Sequence, residues 1–501
     1  MNKLRKILTL LALSIITCGS ACSGTNPDDN GGNKPGTDPV IPPVNSDAPV
    51  AYVTTADRSK LFAAETLEFG KTASMSPYII TLKPDTKYQS VEGFGPAMTG
   101  STCYNLLRMS QTDRTALLKE LFDKKEGCGI SLVRVSIGSS DFGLDEYTWC
   151  DEPGIENFAP HTLDKRDVFP ILKEIYAINP DIKIIGSPWS APRWMKKAVN
   201  SDGPHNRWTS GVLNPIYYQD YAQYFVKWVQ AMKAEGFDIH AITVQNEPLN
   251  HGNSMSMYMS WEEQRDFVKT ALGPAFEKAG ITTKILAFDH NYNYDNVASQ
   301  FRYPLNIFAD PEASKYFAGS AWHNYGGSVT ELDNIIKRAP DKEIYFTEAS
   351  IGTWNYKFED CLINDFNSIF IETLKRNGRG VTLWNLMLDD KKGPNRPGGC
   401  QTCFGAVQIS TSDYKTLERM SHYYNIAHAS KVVKEGAVRI ATDGYTNPGL
   451  NYVAFSNPDG SIAVLGVNTS NKEIPVVFSG SDYTVRYTFP ARSTSSLIWK
   501  R

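Results

Sequence analysis

A chain of 501 residues with 41% hydrophobic side chains carries enough apolar material for one large barrel or for more than one core. A net charge of -3, with no long basic run, leaves no electrostatic footprint for nucleic acid. The 12% aromatic share, including 25 Tyr and 10 Trp, suits a surface that stacks on flat or apolar ligand faces.

The chain opens with Lys3, Arg5 and Lys6, then an apolar run from Ile7 to Ile16 that is too short to span a membrane. The run leads into Cys18-Gly-Ser-Ala-Cys22, which resembles a bacterial lipoprotein cleavage site with Cys22 as the lipid-bearing first residue. Cys18 is the rival position, and a plain secretory signal is the alternative. From Ser23 to Pro49 the residues are mostly Pro, Gly, Asn and Asp, with almost nothing to bury, so a disordered tether is expected. Asp28-Asp29 resembles the export signal of surface lipoproteins in Bacteroides-like bacteria. These features predict a signal peptide over 1–21 and a tether over 22–49. The expected location is the outer membrane or cell surface of a Gram-negative bacterium, with membrane contact only through the lipid.

The mature chain begins and ends in alternating, strand-like segments. Ala51-Tyr-Val-Thr-Thr, Leu67-Glu-Phe and Tyr78-Ile-Ile-Thr-Leu82 come first. Val438-Arg-Ile, Tyr452-Val-Ala-Phe, Ile462 through Asn468, Ile474-Pro-Val-Val-Phe, Tyr483 through Tyr487 and Ser496-Leu-Ile-Trp close the chain. Period-two alternation broken by turn residues predicts an antiparallel β-sandwich, here over 50–88 and 425–501.

Between them, over 89–424, apolar strand runs alternate with amphipathic helices. The runs start at Val91, Ser131, Lys183, Ala241, Lys284, Gly319, Glu343 and Gly380. Tyr221, Phe225, Val229 and Met232 make a helical stripe ended by Gly236, and Ser260-Trp-Glu-Glu263 reads as a capping box with Gly280 as a later C-cap. Eight β/α repeats predict a (β/α)₈ TIM barrel, with chemistry at the C-terminal ends of its strands. A doubly wound open sheet is the alternative, although no G-x-G-x-x-G or G-x-x-x-x-G-K is present.

Those strand ends collect polar residues. The second run ends in Arg134 through Asp141, the third in Trp189 and the fourth in Gln245-Asn246-Glu247-Pro248. The fifth ends in Asp289-His290, the sixth in His323-Asn-Tyr325, the seventh in Thr347-Glu348 and the eighth in Trp384-Asn385. A strand has no interior use for Asn-Glu side by side, and Pro248 cannot continue a central ladder. Two carboxylates at one barrel mouth are what glycoside hydrolysis requires: one donates a proton to the leaving oxygen and one captures the anomeric carbon. Glu247 is the expected acid/base, kept protonated by burial and by a neighbouring carboxylate, and Glu348 is the expected nucleophile, ionised beside Arg134 and tyrosine donors. Asn246 is expected to reach the sugar 2-OH, Trp189 and Trp384 to wall the pocket, and Asp141 to accept from ring hydroxyls. Arg134 and His323 each have a structural reading as satisfied barrel residues, and Trp189 has one as plain packing.

With those residues assembled, the chain resembles glycoside hydrolase family 30, the group that includes lysosomal glucosylceramidase and β-1,6-glucanases. The resemblance runs from about Ala51 to the end. It rests on Gly93-Phe-Gly-Pro-Ala-Met-Thr, Arg134 through Asp141-Phe, Ser187-Pro-Trp-Ser-Ala-Pro, Gln245-Asn-Glu-Pro, His323-Asn-Tyr, Thr347-Glu-Ala and Trp384-Asn-Leu-Met-Leu. It implies a barrel with a side sandwich built from both chain ends, and a retaining mechanism on Glu247 and Glu348. It also implies a glucose subsite lined by Arg134, Asp141, Trp189, Asn246, His323, Tyr325 and Trp384. The expected substrate is a β-glucan, cleaved by an endo-β-1,6-glucanase, with glucosylceramidase or β-glucosidase as the alternative. No cofactor or metal is expected, and a monomer is.

Two other classes stay on the page. A non-catalytic glycan-binding lipoprotein would have no need of both glutamates, and a Ser-His-Asp esterase would need a G-x-S-x-G elbow that is absent. Cys400-x-x-Cys403 is half of a zinc ribbon with no second pair, so a loop disulfide or two idle thiols fit it better than metal.

Overall fold

In the middle of the chain every apolar run becomes a parallel strand. The structure, a computed structural model, describes residues 49–70 and 76–500; the leader, Cys22 and the tether up to residue 48 lie outside the described residues. The strands are β1 (Gly93–Pro96), β2 (Leu132–Ser136), β3 (Lys183–Ser187), β4 (Ile239–Thr243), β5 (Lys284–Asn291), β6 (Phe317–His323), β7 (Glu343–Glu348) and β8 (Gly378–Leu383). Each pairs in parallel with its neighbour from β2 through β8, and β8 pairs with β1. A parallel bridge between Ala97 and Arg134 closes the ring. This is the (β/α)₈ barrel that the repeat count predicts.

Period-two alternation sorts the strand residues. Leu132, Ile185, Ala241, Leu286, Ala321 and Tyr345 form a closed apolar layer inside the barrel. Their odd-parity neighbours, such as Val133, Ile184, Ile242, Trp322 and Ile344, face the helices in the larger core. Helix Tyr218–Ala234 presents its Tyr221, Phe225, Val229 and Met232 stripe to that core. The Ser260 capping box is present, and Gly280 closes helix Gly273–Ala279 in the left-handed conformation.

Both chain ends build one ten-stranded, mostly antiparallel sheet. Val50–Thr55 pairs with Ser493–Trp499, and Ile79–Ser90 lies between Val438–Gly444 and Ile474–Ser479. Its core of Ile80, Val464, Val476, Phe478, Val485, Leu497 and Trp499 is separate from the barrel core. A strand at Ala63–Thr66 was not expected; its Ala-Ala-Glu-Thr sequence offers no alternation to read.

Helix Ser421–Val432 joins the two units and is buried along its whole length. His428 of this helix shares hydrogen bonds with Ser496 Oγ at 2.9 Å and Thr54 Oγ1 at 2.8 Å, so one ring ties the helix to two strands of the sandwich. No helix among the described residues is long and apolar enough to cross a membrane.

Candidate active site

One step up each strand from the apolar layer, the inward residues turn polar. Two residues beyond Leu132, Ile185, Ala241, Ala321 and Tyr345 stand Arg134, Ser187, Thr243, His323 and Thr347, all buried. On β5 the same step would place Phe288 inside. The pairing with β6 slips between Phe288 and His290, Phe288 and Asp289 take positive φ values of 75° and 80°, and Asp289 turns inward instead.

Asp289 is the hub of this layer. It accepts from Arg134 Nη2 at 2.9 Å, Thr243 Oγ1 at 2.7 Å, Thr347 Oγ1 at 2.6 Å and His323 Nε2 at 3.1 Å. Burial favours its neutral form, but Arg134, His323 and Thr347 outweigh that and hold it far below the usual carboxylate range. The sequence places Asp289 at a strand end but gives it no role, because a bulge that reverses strand parity leaves no residue pattern.

Arg134 reaches every side of the site. Its guanidinium donates to Glu348 Oε2 at 2.6 Å, to Asn246 Oδ1 at 2.6 Å and through Nε to Ser187 Oγ at 3.1 Å. It lies 4.9 Å from the Trp189 ring and 5.6 Å from the Trp384 ring, which stack on each other at 5.1 Å. The expected nucleophile therefore has its cation, and Tyr325 donates to the other oxygen, Glu348 Oε1, at 3.0 Å. The Arg134 bond also orients Asn246, since its amide oxygen is taken and its NH₂ group faces the remaining space.

An oxygen of Glu247 and an oxygen of Glu348 lie within 4.8 Å of each other. Glu247 sits past the end of β4 with φ at 44°, a left-handed backbone that swings its carboxylate into the mouth. Asn250 donates to its Oε2 at 2.7 Å, a partner that sequence reading did not single out.

His323 departs from expectation. Its Nδ1 faces Glu247 Oε1 at 3.3 Å while Nε2 bonds Asp289, so neither ring nitrogen is left for a sugar hydroxyl. The ring therefore braces Glu247 against Asp289. Burial alone would lower its pKa; the Glu348, Asp289 and Glu247 carboxylates outweigh it and push the imidazole up to about 9.

The expectation that Glu247 stays protonated is corrected by the same contact. Burial pushes its carboxyl up, but the His323 hydrogen bond, the charge of His290 and His323 and the Asn250 amide bring it down to about 2. Glu348 moves the other way, raised by burial and by Glu247 and Asp289 against the pull of His323 and Arg134. The short path for a proton between His323 and Glu247 runs along the 3.3 Å contact of His323 Nδ1 with Glu247 Oε1.

Asp141 is buried beside this pair. Burial, then Glu348 and Glu247, push its carboxyl up to about 7, opposed by the backbone N–H of Cys400. Cys400 and Cys403 are joined in a disulfide. Glu247, His323 and Glu348 each offer one atom to a common point, the sole such trio among the described residues.

Two carboxylates at the C-terminal mouth of a (β/α)₈ barrel, with stacked tryptophans beside them, define a glycoside hydrolase. The chain belongs to glycosyl hydrolase family 30: the family's TIM-barrel domain matches residues 91–433 and its β-sandwich domain residues 436–497. It is similar to an endo-1,6-beta-D-glucanase of Trichoderma harzianum, 34% identical over 78% of this chain and 80% of the relative. The lysosomal acid glucosylceramidase of Mus musculus is 29% identical over 84% of each. A solved structure titled the endo-beta1,6-glucanase BT3312 superposes with a TM-score of 0.88, at 53% identity, over 91% of this chain and 99% of the other.

Proposed function

We propose that this chain is a retaining endo-β-1,6-glucanase in which Glu348 is the nucleophile and Glu247 the acid/base. The observation that carries the mechanism is the approach of the two carboxylates to within 4.8 Å. Retention requires roughly 5–5.5 Å between the carboxyl groups, whereas inversion needs roughly 6.5–9.5 Å to admit a water. The linkage rests on the likeness to the endo-1,6-glucanases, above all the 53% identical structure.

The steps follow from the contacts. Glu348, held by Arg134 and Tyr325, attacks the anomeric carbon and forms the C1–O bond as the glycosidic C1–O bond breaks. The leaving oxygen takes a proton from Glu247. That proton comes from His323 Nδ1, because a sugar seated between the glutamates excludes water and favours the neutral acid. Glu247 then takes a proton from an incoming water, which releases the sugar from Glu348 with net retention. Asn246 holds the sugar 2-OH, Asp141 a ring hydroxyl, and the Trp189–Trp384 stack the pocket wall.

Products released from β-1,6-glucan, laminarin and glucosylceramide, compared side by side, test the substrate. Oligosaccharides from β-1,6-glucan are expected. Glucose from glucosylceramide with nothing from the glucan would replace this reading with the glucosylceramidase one. For location, the leader and the disulfide support export to an oxidising compartment with a lipid on Cys22. Labelled fatty acid should be incorporated in cells and lost in Cys22→Ala; undiminished label in that variant would move the anchor to Cys18.

A further inference from the structure

We infer that the Cys400–Cys403 disulfide is a positioning device for Asp141, locking the hairpin that packs against the backbone and Cβ of that residue. The inference rests on the role given to Asp141 above.

Asp141 has no side-chain cation of its own. Arg134 is spent on Glu348, Asp289 and Asn246, so the placing of Asp141 falls to what packs on its loop; the backbone N–H groups of Cys400 and of Asp141 itself oppose the rise of its carboxyl. The hairpin comes in so close that only glycine fits. A Cβ at Gly399 would lie 2.8 Å from the Asp141 carbonyl oxygen, and one at Gly398, where φ is +89°, would lie 2.7 Å from Ser254 Cβ.

Three further ties hold the hairpin on the mouth. Arg396 donates to the Ser140 carbonyl at 2.7 Å, one residue before Asp141. Past the disulfide, Cys403–Phe404 pairs with Ile351–Gly352, the segment that follows Glu348. Both cysteines pack in the cluster that contains Trp189, Trp384 and Phe142. The hairpin therefore touches the loop that carries Asp141 and the loop that leaves the nucleophile, and the disulfide closes the turn between those contacts. Without that closure Gly399 is free to draw back from Asp141 while the paired segment stays in place.

The bond is open to test because it is the one disulfide among the described residues. Cys400 is partly exposed, whereas Cys103, Cys128, Cys150 and Cys361 are buried. Dithiothreitol delivers two electrons and two protons, giving two thiols and its own cyclic disulfide.

The experiment measures kcat and KM on a β-1,6-gluco-oligosaccharide for oxidised, reduced and reoxidised enzyme, for Cys400→Ser/Cys403→Ser, and for Asp141→Asn in both redox states. Mass spectrometry counts thiols and circular dichroism monitors the fold. Reduction and the double substitution are each expected to raise KM about 5–10-fold with kcat within about twofold, as for a weakened substrate contact. Reoxidation should restore KM, and in Asp141→Asn reduction should add nothing. An unchanged KM with two additional thiols counted overturns the inference, and so does an equal rise in the Asp141→Asn background. A collapse of kcat and fold together in every reduced form would make the disulfide merely structural and overturn it too. If Asp141→Asn alone leaves KM unchanged, the Asp141 role itself fails, which is a separate result.

Discussion

The two ends of the same eight strands carry charge clusters of opposite design. At the N-terminal end Glu92, Glu343 and Glu435 meet Lys183, Lys284 and Arg379. Lys284 lies 2.8 Å from Glu343, Arg379 lies 2.9 Å from Glu92, Lys183 lies 2.8 Å from Glu435, and Lys183–Glu92 and Arg379–Glu343 close the ring. Each acid has a base, and water reaches the edges. At the C-terminal end Glu247, Glu348 and Asp289 share Arg134 and His323, and Asp141 lies beside them without a cation, all of them buried. Carboxylates outnumber cations there, so the pKa values are driven apart, and groups driven apart can act as acid and nucleophile. The balanced cluster holds the barrel; the unbalanced one is held by it.

The comparison can be broken first at the mouth. Glu348→Ala should abolish turnover, by about 10³-fold or more in kcat, with the fold intact by circular dichroism. Residual activity near wild type would remove Glu348 from the mechanism. Glu247→Ala should cost about 10²–10⁴-fold on glucan, where the leaving alcohol needs a proton, and much less on 2,4-dinitrophenyl β-glucoside. Equal losses on the two substrates would argue against Glu247 as the acid.

The pH profile sharpens the contrast. Because the raised Glu348 must be ionised, kcat/KM should fall on the acid side at a higher pH than an ordinary carboxylate would set. Because His323 must hold its proton, activity should fall again as pH rises through about 9. These limbs belong to the coupled cluster. In His323→Asn the alkaline limb should move to lower pH, since Glu247 must then hold the proton itself; an unmoved limb would exclude the His323 reservoir.

The smallest effects are on stability and should differ in sign between the two ends. Glu343→Gln leaves Lys284 and Arg379 short of a partner and should lower stability by about 1–2 kcal/mol, reduced by partial solvent access, with kcat unchanged. Glu348→Gln removes one carboxylate from an excess and should raise Tm, with a gain of about 0.5–2 kcal/mol. A lower Tm for Glu348→Gln would deny that the mouth is charge-frustrated.

Much of this was legible in the residues. All eight barrel strands stand where strand runs were expected, and seven of those runs stop on polar residues, because a parallel strand buried on both faces must be apolar until it reaches the mouth. Arg134, Glu247 and Glu348 come together as their strand ends imply. What escaped depends on three-dimensional slips. Asp289 enters the barrel through a bulge, so parity alone points to Phe288. The ionisation of Glu247 turned on which way the His323 ring faces, and that is fixed by Asp289 behind it. Gly399 packs on Asp141 across more than 250 residues of chain, a contact that no local pattern announces.

The central claim is that Glu247 and Glu348 cleave a β-1,6-glucan by double displacement. Proton NMR of the first-formed reducing ends, recorded on oligosaccharides of β-1,6-glucan before mutarotation, tests it most directly. The β anomer first is the expected result; the α anomer first, or no new reducing end at all, would contradict it.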